Sequence, residues 1–434
     1  MAHHHSKPTY LTAVAASETG EIIDLPGYAA VGRSADTFTP LKRESSRPLP
    51  HGSELMRLPD RKPIVFHIRE RRLVTLSRNP FQPSQSVCAV AVFNSPGYLV
   101  TQVSAYEEAA GAGILPLFSY GAAGWSGGGF RSAAIRVDRE RRQDLRLMKQ
   151  DDVTAGVRAM RKRLPGNRLR RHLEKCALVY GCPAAKNFFL GRCEAPLPTS
   201  SACNARCLGC LSHQTDAALP VSQQRIDFTP SPAEIAAVAL VHIQNVNKAV
   251  VSFGQGCEGD PLLAARVIEP ALKQIRQATN RGTINMNTNG SLPDVMAALF
   301  AAGLDSVRIS INSFREACYR RYFRPRDYRF ADVKESIRRA LAAGKHVALN
   351  YLNLPGFTDT PQERQSLFGF VDRHPIHLIQ WRNLNYDPRQ YWQAMAEAAS
   401  SGPPLGMDRL LASLRRRYPH LKHAYFNPPK EKWS

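Results

Sequence analysis

Apolar runs and helix-period stretches alternate through the second half of the chain. Ala249 to Gly254 reads as a strand and is followed by a helical pattern from Pro261 to about Thr279. Thr283 to Asn289 repeats the strand signal before a helix that stops at Gly303, and Ser306 to Asn312 precedes a helical stretch reaching Ala343. His346 to Leu352, a helix from Pro361, and Ile376 to Trp381 continue the series. Ser231-Pro232-Ala233-Glu234 adds a capping box with proline at the first helical position. Repeated βα units predict a parallel sheet. With a further strand near Ala195 to Pro198, about six units are expected, so the α/β fold class is a partial (βα)6 TIM-like barrel with its site at the C-terminal strand ends.

Alternation within two strands indicates where a ligand goes. Ile284 and Met286 share one face, leaving Asn285, Asn287 and Asn289 on the other; Val307, Ile309 and Ile311 likewise oppose Arg308, Ser310 and Asn312. Parallel strands covered on both faces usually read as continuous apolar runs. Two neighbouring strands with a polar face therefore imply a polar, ligand-holding interior.

Residues 1–150 differ in pattern. Short β segments such as Ile64 to Ile68, Val87 to Phe93 and Ala133 to Val137 are broken by Pro and Gly, which predicts a small β-rich N-terminal domain. Gly124-Trp-Ser-Gly-Gly-Gly129 is a turn without the Lys-Ser or Lys-Thr of a phosphate loop. Residues 151–194 read as a basic helical linker, 195–390 as the barrel, and 391–434 as a C-terminal helical tail. No apolar run approaches the roughly 18 residues of a membrane span, and no signal peptide is evident, so a cytoplasmic protein without membrane contact is expected. His3, His4 and His5 are set aside as a tag remnant or native sequence.

The charge balance of 58 Lys and Arg against 36 Asp and Glu admits a polyanionic partner, but the Arg excess is spread along the whole chain and fits a general bias in composition equally well. Tyr319 to Phe330 interleaves Arg with Tyr and Phe, which suits RNA or, with equal weight, an amphipathic helix and turn. The substrate classes left open are RNA, a peptide and a small anionic metabolite.

Nine unevenly spaced cysteines argue against a disulfide framework. Three fall in Cys203-Asn-Ala-Arg-Cys207-Leu-Gly-Cys210. Three thiolates on one loop can hold three irons of a cubane and leave the fourth open to a ligand. A structural zinc site is the competing reading, because His213 follows at the right spacing to give four ligands, and such a site would suit a zinc-stabilised nucleic-acid-binding protein.

The C-x3-C-x2-C spacing after a strand, together with the βα series from Ala195 to Asn385, resembles the radical S-adenosylmethionine (radical SAM) superfamily. That resemblance implies a 4Fe-4S cluster on Cys203, Cys207 and Cys210. It also implies reductive cleavage of S-adenosylmethionine to a 5′-deoxyadenosyl radical that abstracts hydrogen from a substrate, with flavodoxin or ferredoxin as the reductant. Gln255-Gly256-Cys257-Glu258-Gly259-Asp260-Pro261 is similar to the family's Gly-Gly-Glu-Pro segment, which assigns Gly256, Glu258, Gly259 and Asp260 to the cofactor, with Asp260 in the Glu position. Asp260 also reads as a helix N-cap. Asn287, Asn289, Ser310 and Asn312 match the family's ribose and carboxylate contacts, and Val347 to Gly356 its fifth strand and loop. Gly209 stands where the family usually has an aromatic residue near the adenine.

Cys257 lies inside the cofactor segment, where a thiol can donate a hydrogen atom or carry a transferred group, and is the candidate catalytic residue; the bland alternative is an inert thiol. Cys88, Cys176, Cys182, Cys193 and Cys318 read as small buried hydrophobes. Cys176, Cys182 and Cys193 can in principle hold a second cluster, although the Cys-rich C-terminal extension that usually does so in the family is missing.

Overall fold

The computed structural model describes residues 10–142, 144–399 and 402–433; His3, His4 and His5 lie outside the described residues. The chain forms two compact units. One comprises Met1–Val137, Asn353–Arg364 and Asn383–Arg416, and the other Asp138–Leu352, Gln365–Arg382 and Arg417–Ser434.

The first unit is built on an antiparallel sheet around the long strand Ile22–Ser34, which pairs with Thr12–Ala16 and Arg61–His67. Leu11, Ala13, Ala15, Leu25 and Val65 form its core. Small side chains on the inner face let the paired strands approach closely: a Cβ at Gly124 would come within 2.8 Å of Leu11 and Ala30. The Gly-rich stretch is a hairpin turn between Ala123–Trp125 and Phe130–Ser132, with Gly127 and Gly128 at positive φ as such a turn requires. The later segments join this unit through hydrogen bonds: Asn383 accepts from the Val100 amide at 2.9 Å, and Asp387 from the Leu115 amide at 3.0 Å.

The second unit carries the parallel sheet. Its strands are β1 (Glu194–Pro196), β2 (Val250–Phe253), β3 (Thr283–Thr288), β4 (Ser306–Ile311), β5 (His346–Asn353), β6 (Leu378–Asn383) and β7 (Lys422–Ala424), each beside the next in chain order. Helices α1 (Gln150–Arg163), α2 (Arg168–Leu178) and α3 (Pro183–Phe189) precede β1. Helix α4 (Pro232–Asn245) follows it, and α5 (Ala265–Ala278), α6 (Pro293–Ala301), α7 (Glu316–Phe323), α8 (Phe330–Ala342) and α9 (Pro361–Arg373) occupy the crossovers. The apolar halves of the strands, including Ile284, Met286, Val307 and Ile309, are fully buried.

The sheet is a half-barrel, and a single side chain demonstrates its curl. Asn427 donates to Glu194 on β1 at 3.1 Å and accepts from Gln380 on β6 at 2.7 Å. In a flat sheet those two strands would lie roughly 24 Å apart. The end of the chain differs from a helical tail: α10 (Pro388–Met395) and α11 (Met407–Arg417) are followed by β7, which pairs in parallel with β6. The strand signal there is three residues of mixed polarity, too short for a period of two to register. Among the described residues, no helix is long and apolar enough to cross a membrane.

Helix α4 begins as its capping box dictates: Ser231 Oγ accepts from the Glu234 amide at 3.2 Å, and Glu234 accepts from the Ser231 amide at 2.8 Å. Ser231→Ala should cost about 1 kcal/mol, read as a lower denaturant midpoint with unchanged slope.

Candidate functional site

The three cysteines sit on the loop that leaves β1, all half-buried. An irregular cysteine loop offers few internal hydrogen bonds, so the backbone finds partners elsewhere. Arg206 and Leu208 donate to the carbonyls of Phe323 and Tyr322 at 3.0 and 3.1 Å, and Arg326 donates to Asn204 O at 2.8 Å. The loop thus runs antiparallel to the segment after α7, with Ala205 opposite Pro325. Arg225 reaches Cys210 Sγ at 3.7 Å. Burial pushes the Cys203 thiol up to about 11, with the nearby Asp260 carboxylate adding to the shift, and it raises Cys207 well above the ordinary range.

The corner after β2 is fastened by Glu258. Its buried carboxylate accepts from the amides of Gly254 and Gln255, both at 2.7 Å, from the amides of Thr199 and Ser200 at 2.8 and 3.1 Å, and from Thr199 Oγ1 at 3.3 Å. Burial pushes its pKa up to about 7 against the pull of those amides. Glu258 therefore ties the end of β2 to the cysteine loop, with both oxygens of its carboxylate engaged by protein. Gly259 is required for the same junction: a Cβ there would meet Ala202 O at 1.9 Å. Gly256 is exposed at the turn.

Asp260 is the helix N-cap that its sequence context implied. It caps the short helix Pro261–Ala264, accepting from Leu262 N at 3.1 Å, and it binds the end of β3 through Thr288 Oγ1 and the Asn289 amide, each at 2.7 Å. Asn289 donates to Asn204 Oδ1 at 2.7 Å, which joins the β3 end to the cysteine loop. Asn287 donates to Gly254 O at 2.9 Å. Cysteine loop, Asp260 corner and β3 end are thus one hydrogen-bonded body. Ser310 and Asn312 continue along β4, Ser310 accepting from Asn350 at 3.4 Å and Asn312 donating to Cys318 O at 3.2 Å.

Deeper in the half-barrel, polar side chains form rungs across the strands. Ser306 donates to Asn285 Oδ1 at 2.9 Å, and Asn285 reaches Ser252 Oγ at 3.3 Å. Above them lie two arginines. Arg308 on β4 bonds Gln380, and Arg382 on β6 bonds Gln380 at 3.2 Å and Asn350 at 3.0 Å while lying 3.9 Å from the Tyr425 ring. Burial, with the charge of Arg382, pulls Arg308 down to about 9, and Glu194 opposes the shift. Arg308 Nε is buried with no hydrogen-bond partner. Sequence alternation placed Arg308 on the polar face; Arg382 had no such signal because β6 was legible only as an apolar run.

Other expectations fare differently. The aromatic residues of Tyr319 to Phe330 are buried among themselves, with Tyr319 stacked 4.6 Å from Phe323 and 4.3 Å from Phe330. They back the cysteine loop and are not available to stack on bases, so the amphipathic-helix reading holds. His213 is largely exposed, and desolvation, with the charges of Arg225, Arg206 and Arg326 adding to it, lowers its pKa. Among the described residues, the one group of three or more such ligand atoms within 4.8 Å of one another is His172, Cys176 and Cys257, so the cysteine trio with His213 is not gathered around a single ion. The zinc reading of that loop is therefore unsupported. Cys257 is buried, and its thiol lies beside Cys176 and His172. Of the cysteines read as buried hydrophobes, Cys176 and Cys318 are buried, while Cys88, Cys182 and Cys193 are half-buried.

Residues 197–368 match the model of the radical SAM superfamily. Within those bounds the chain carries a radical SAM domain. It is 30% identical over 178 residues to the radical SAM relative GTP 3′,8-cyclase of Heliobacterium modesticaldum, which covers 41% of this chain and 50% of the relative. The chain thus spans about half the length of that curated protein. Solved structures similar to it include the FeFe-hydrogenase maturase HydG from Carboxydothermus hydrogenoformans (14% identity, 63% of this chain, 70% of that one, TM-score 0.38). Streptococcus suis SuiB bound to S-adenosylmethionine is another (13% identity, 53% and 49%, TM-score 0.37). Radical SAM proteins bind a 4Fe-4S cluster and S-adenosylmethionine. The donor set here fits the cluster: three half-buried thiols on one loop, spread wider than ligands of a single ion.

Glu258→Gln preserves shape but turns an amide NH2 toward amide donors. We expect a loss of about 2 kcal/mol or more, seen as a lower thermal midpoint, together with faster loss of bound iron.

Proposed function

We propose that the chain is a radical SAM enzyme that holds its cluster on Cys203, Cys207 and Cys210 and abstracts hydrogen from a small anionic substrate inside the half-barrel. One arrangement supports this reading: the cysteine loop, the Asp260 corner and the polar strand faces are joined by hydrogen bonds at the C-terminal strand ends, on the same sheet as two half-buried arginines. When bound, the cluster supplies the electron that cleaves S-adenosylmethionine to a 5′-deoxyadenosyl radical.

The protein's own residues supply the rest. Asp260 and the carbonyls of its corner are the acceptors for the cofactor's ammonium group, held rigid by Thr288 and the Asn289 amide. Asn287, Asn289, Ser310 and Asn312 provide donors and acceptors for its ribose and carboxylate. Arg308 and Arg382 give the interior a net positive charge that Glu194 only partly offsets, and Arg308 Nε is a donor aimed at no protein acceptor. A desolvated guanidinium left in that state favours a carboxylate or phosphate. A one-electron protein reductant such as flavodoxin or ferredoxin is the partner that the chemistry requires.

Anaerobically reconstituted protein should bind about four irons per chain and release 5′-deoxyadenosine from S-adenosylmethionine under reduction, and Cys207→Ala should abolish both. Iron-free protein with one zinc on the trio would end this reading. Arg308→Gln should raise KM for the substrate roughly ten- to hundredfold, the loss of a charge-assisted hydrogen bond, with a smaller effect on kcat.

A further inference from the structure

Behind the Asp260 corner, on the side of α2, lies a second concentration of metal-binding side chains. His172, Cys176 and Cys257 offer ligand atoms that all lie within 4.8 Å of one another, with both cysteines buried and His172 half-buried. His172 and Cys176 are one turn apart on α2 and so share a face. Cys257 comes from a different element, the corner between β2 and the Asp260 cap. Cys176 Sγ and His172 Nε2 are 3.5 Å apart. A sulfur at about 2.3 Å and a nitrogen at about 2.0 Å from a tetrahedral zinc are about 3.5 Å from each other. The spacing is therefore that of two ligands already on the edge of one tetrahedron.

We propose that His172, Cys176 and Cys257 form a three-ligand zinc site, open to water at its fourth position, that fastens α2 to the cofactor corner. The loop that follows α2 is held against the site, with the Cys182 amide donating to Cys176 O at 2.9 Å. The mixed sulfur and nitrogen donor set and the tight grouping select a single borderline-soft ion over a cubane. The surroundings are already fixed in the way that a structural site needs. Asn167 caps α2 and donates to Glu234 O at 3.0 Å, Lys175 bonds Gln224 at 2.7 Å, and Ile226 donates to Cys257 O at 2.8 Å. The ion would link α2 to the corner that holds Glu258 and Asp260, without taking part in the radical chemistry, so the proposal stands whether or not that chemistry does.

The test uses the full chain with Cys203, Cys207 and Cys210 all replaced by alanine, grown with added zinc. After dialysis against a chelator, elemental analysis should find one zinc per chain. Cobalt(II) exchanged into the same protein should show the visible absorption of tetrahedral thiolate coordination. Adding Cys176→Ser and Cys257→Ser should abolish both signals. If that protein does not fold, His172→Asn alone should shift the cobalt bands and weaken metal binding by about tenfold or more. Three results would overturn the proposal: a metal-free protein after the trio is removed, cobalt bands indifferent to His172→Asn, or an intact mass lower by two hydrogens with a Cys176–Cys257 linked peptide, which marks a disulfide.

Discussion

The carboxylate of Glu258 is the interaction on which the site depends. The two loops that leave β1 and β2 share only a few backbone hydrogen bonds, Gly259 N to Ser200 O and Asp260 N to Ala202 O, and their other amides need a further acceptor. A single buried anion answers four of those amides and a hydroxyl at once. Burying a charge is costly unless it is fully bonded, and here every partner is a donor. The cysteine loop and the Asp260 corner acquire a fixed spacing as a result. Asp260 repeats the device one strand further on, answering a hydroxyl and an amide at the end of β3.

How much of this was legible in the sequence follows from the range of each signal. The βα series was readable because buried apolar strands and capped helices are local patterns; Ser231 and Glu234 form in space the reciprocal cap that their spacing implies. The polar faces of β3 and β4 were readable for the same reason, since alternation is a two-residue rule. The structural part played by Glu258 had no local signal, because its partners at Thr199 and Ser200 are 59 and 58 residues away. The short β7 gave no periodic signal, and Arg382 was hidden because its strand was read as an apolar run to Trp381.

Cys257 illustrates the same limit from another direction. Within its own segment it is a thiol beside the cofactor corner and nothing more. Its neighbours His172 and Cys176 come from a helix about 80 residues earlier, where a histidine and a cysteine one turn apart look like ordinary surface and core positions. Only the packing of α2 against the corner gathers the three. Basic residues dominate this helix, and its ion pairs tie it to its neighbours, Glu174 to Arg161 of α1 and Arg168 to Glu234 of α4.

The bridge from Glu194 through Asn427 to Gln380 has a consequence for how the second unit reaches its native state. Glu194 and Asn427 are separated by 233 positions, so the contact that rounds the sheet joins nearly the first and last elements of that unit. Contacts of such long range form late, because the loop-closure entropy must be overcome before they contribute anything. During synthesis the strands can assemble one after another as they emerge, but the cavity between them acquires its final curvature only once the segment bearing Asn427 is available. Maturation of the pocket in this sense waits on a segment made 233 positions after the strand it closes against.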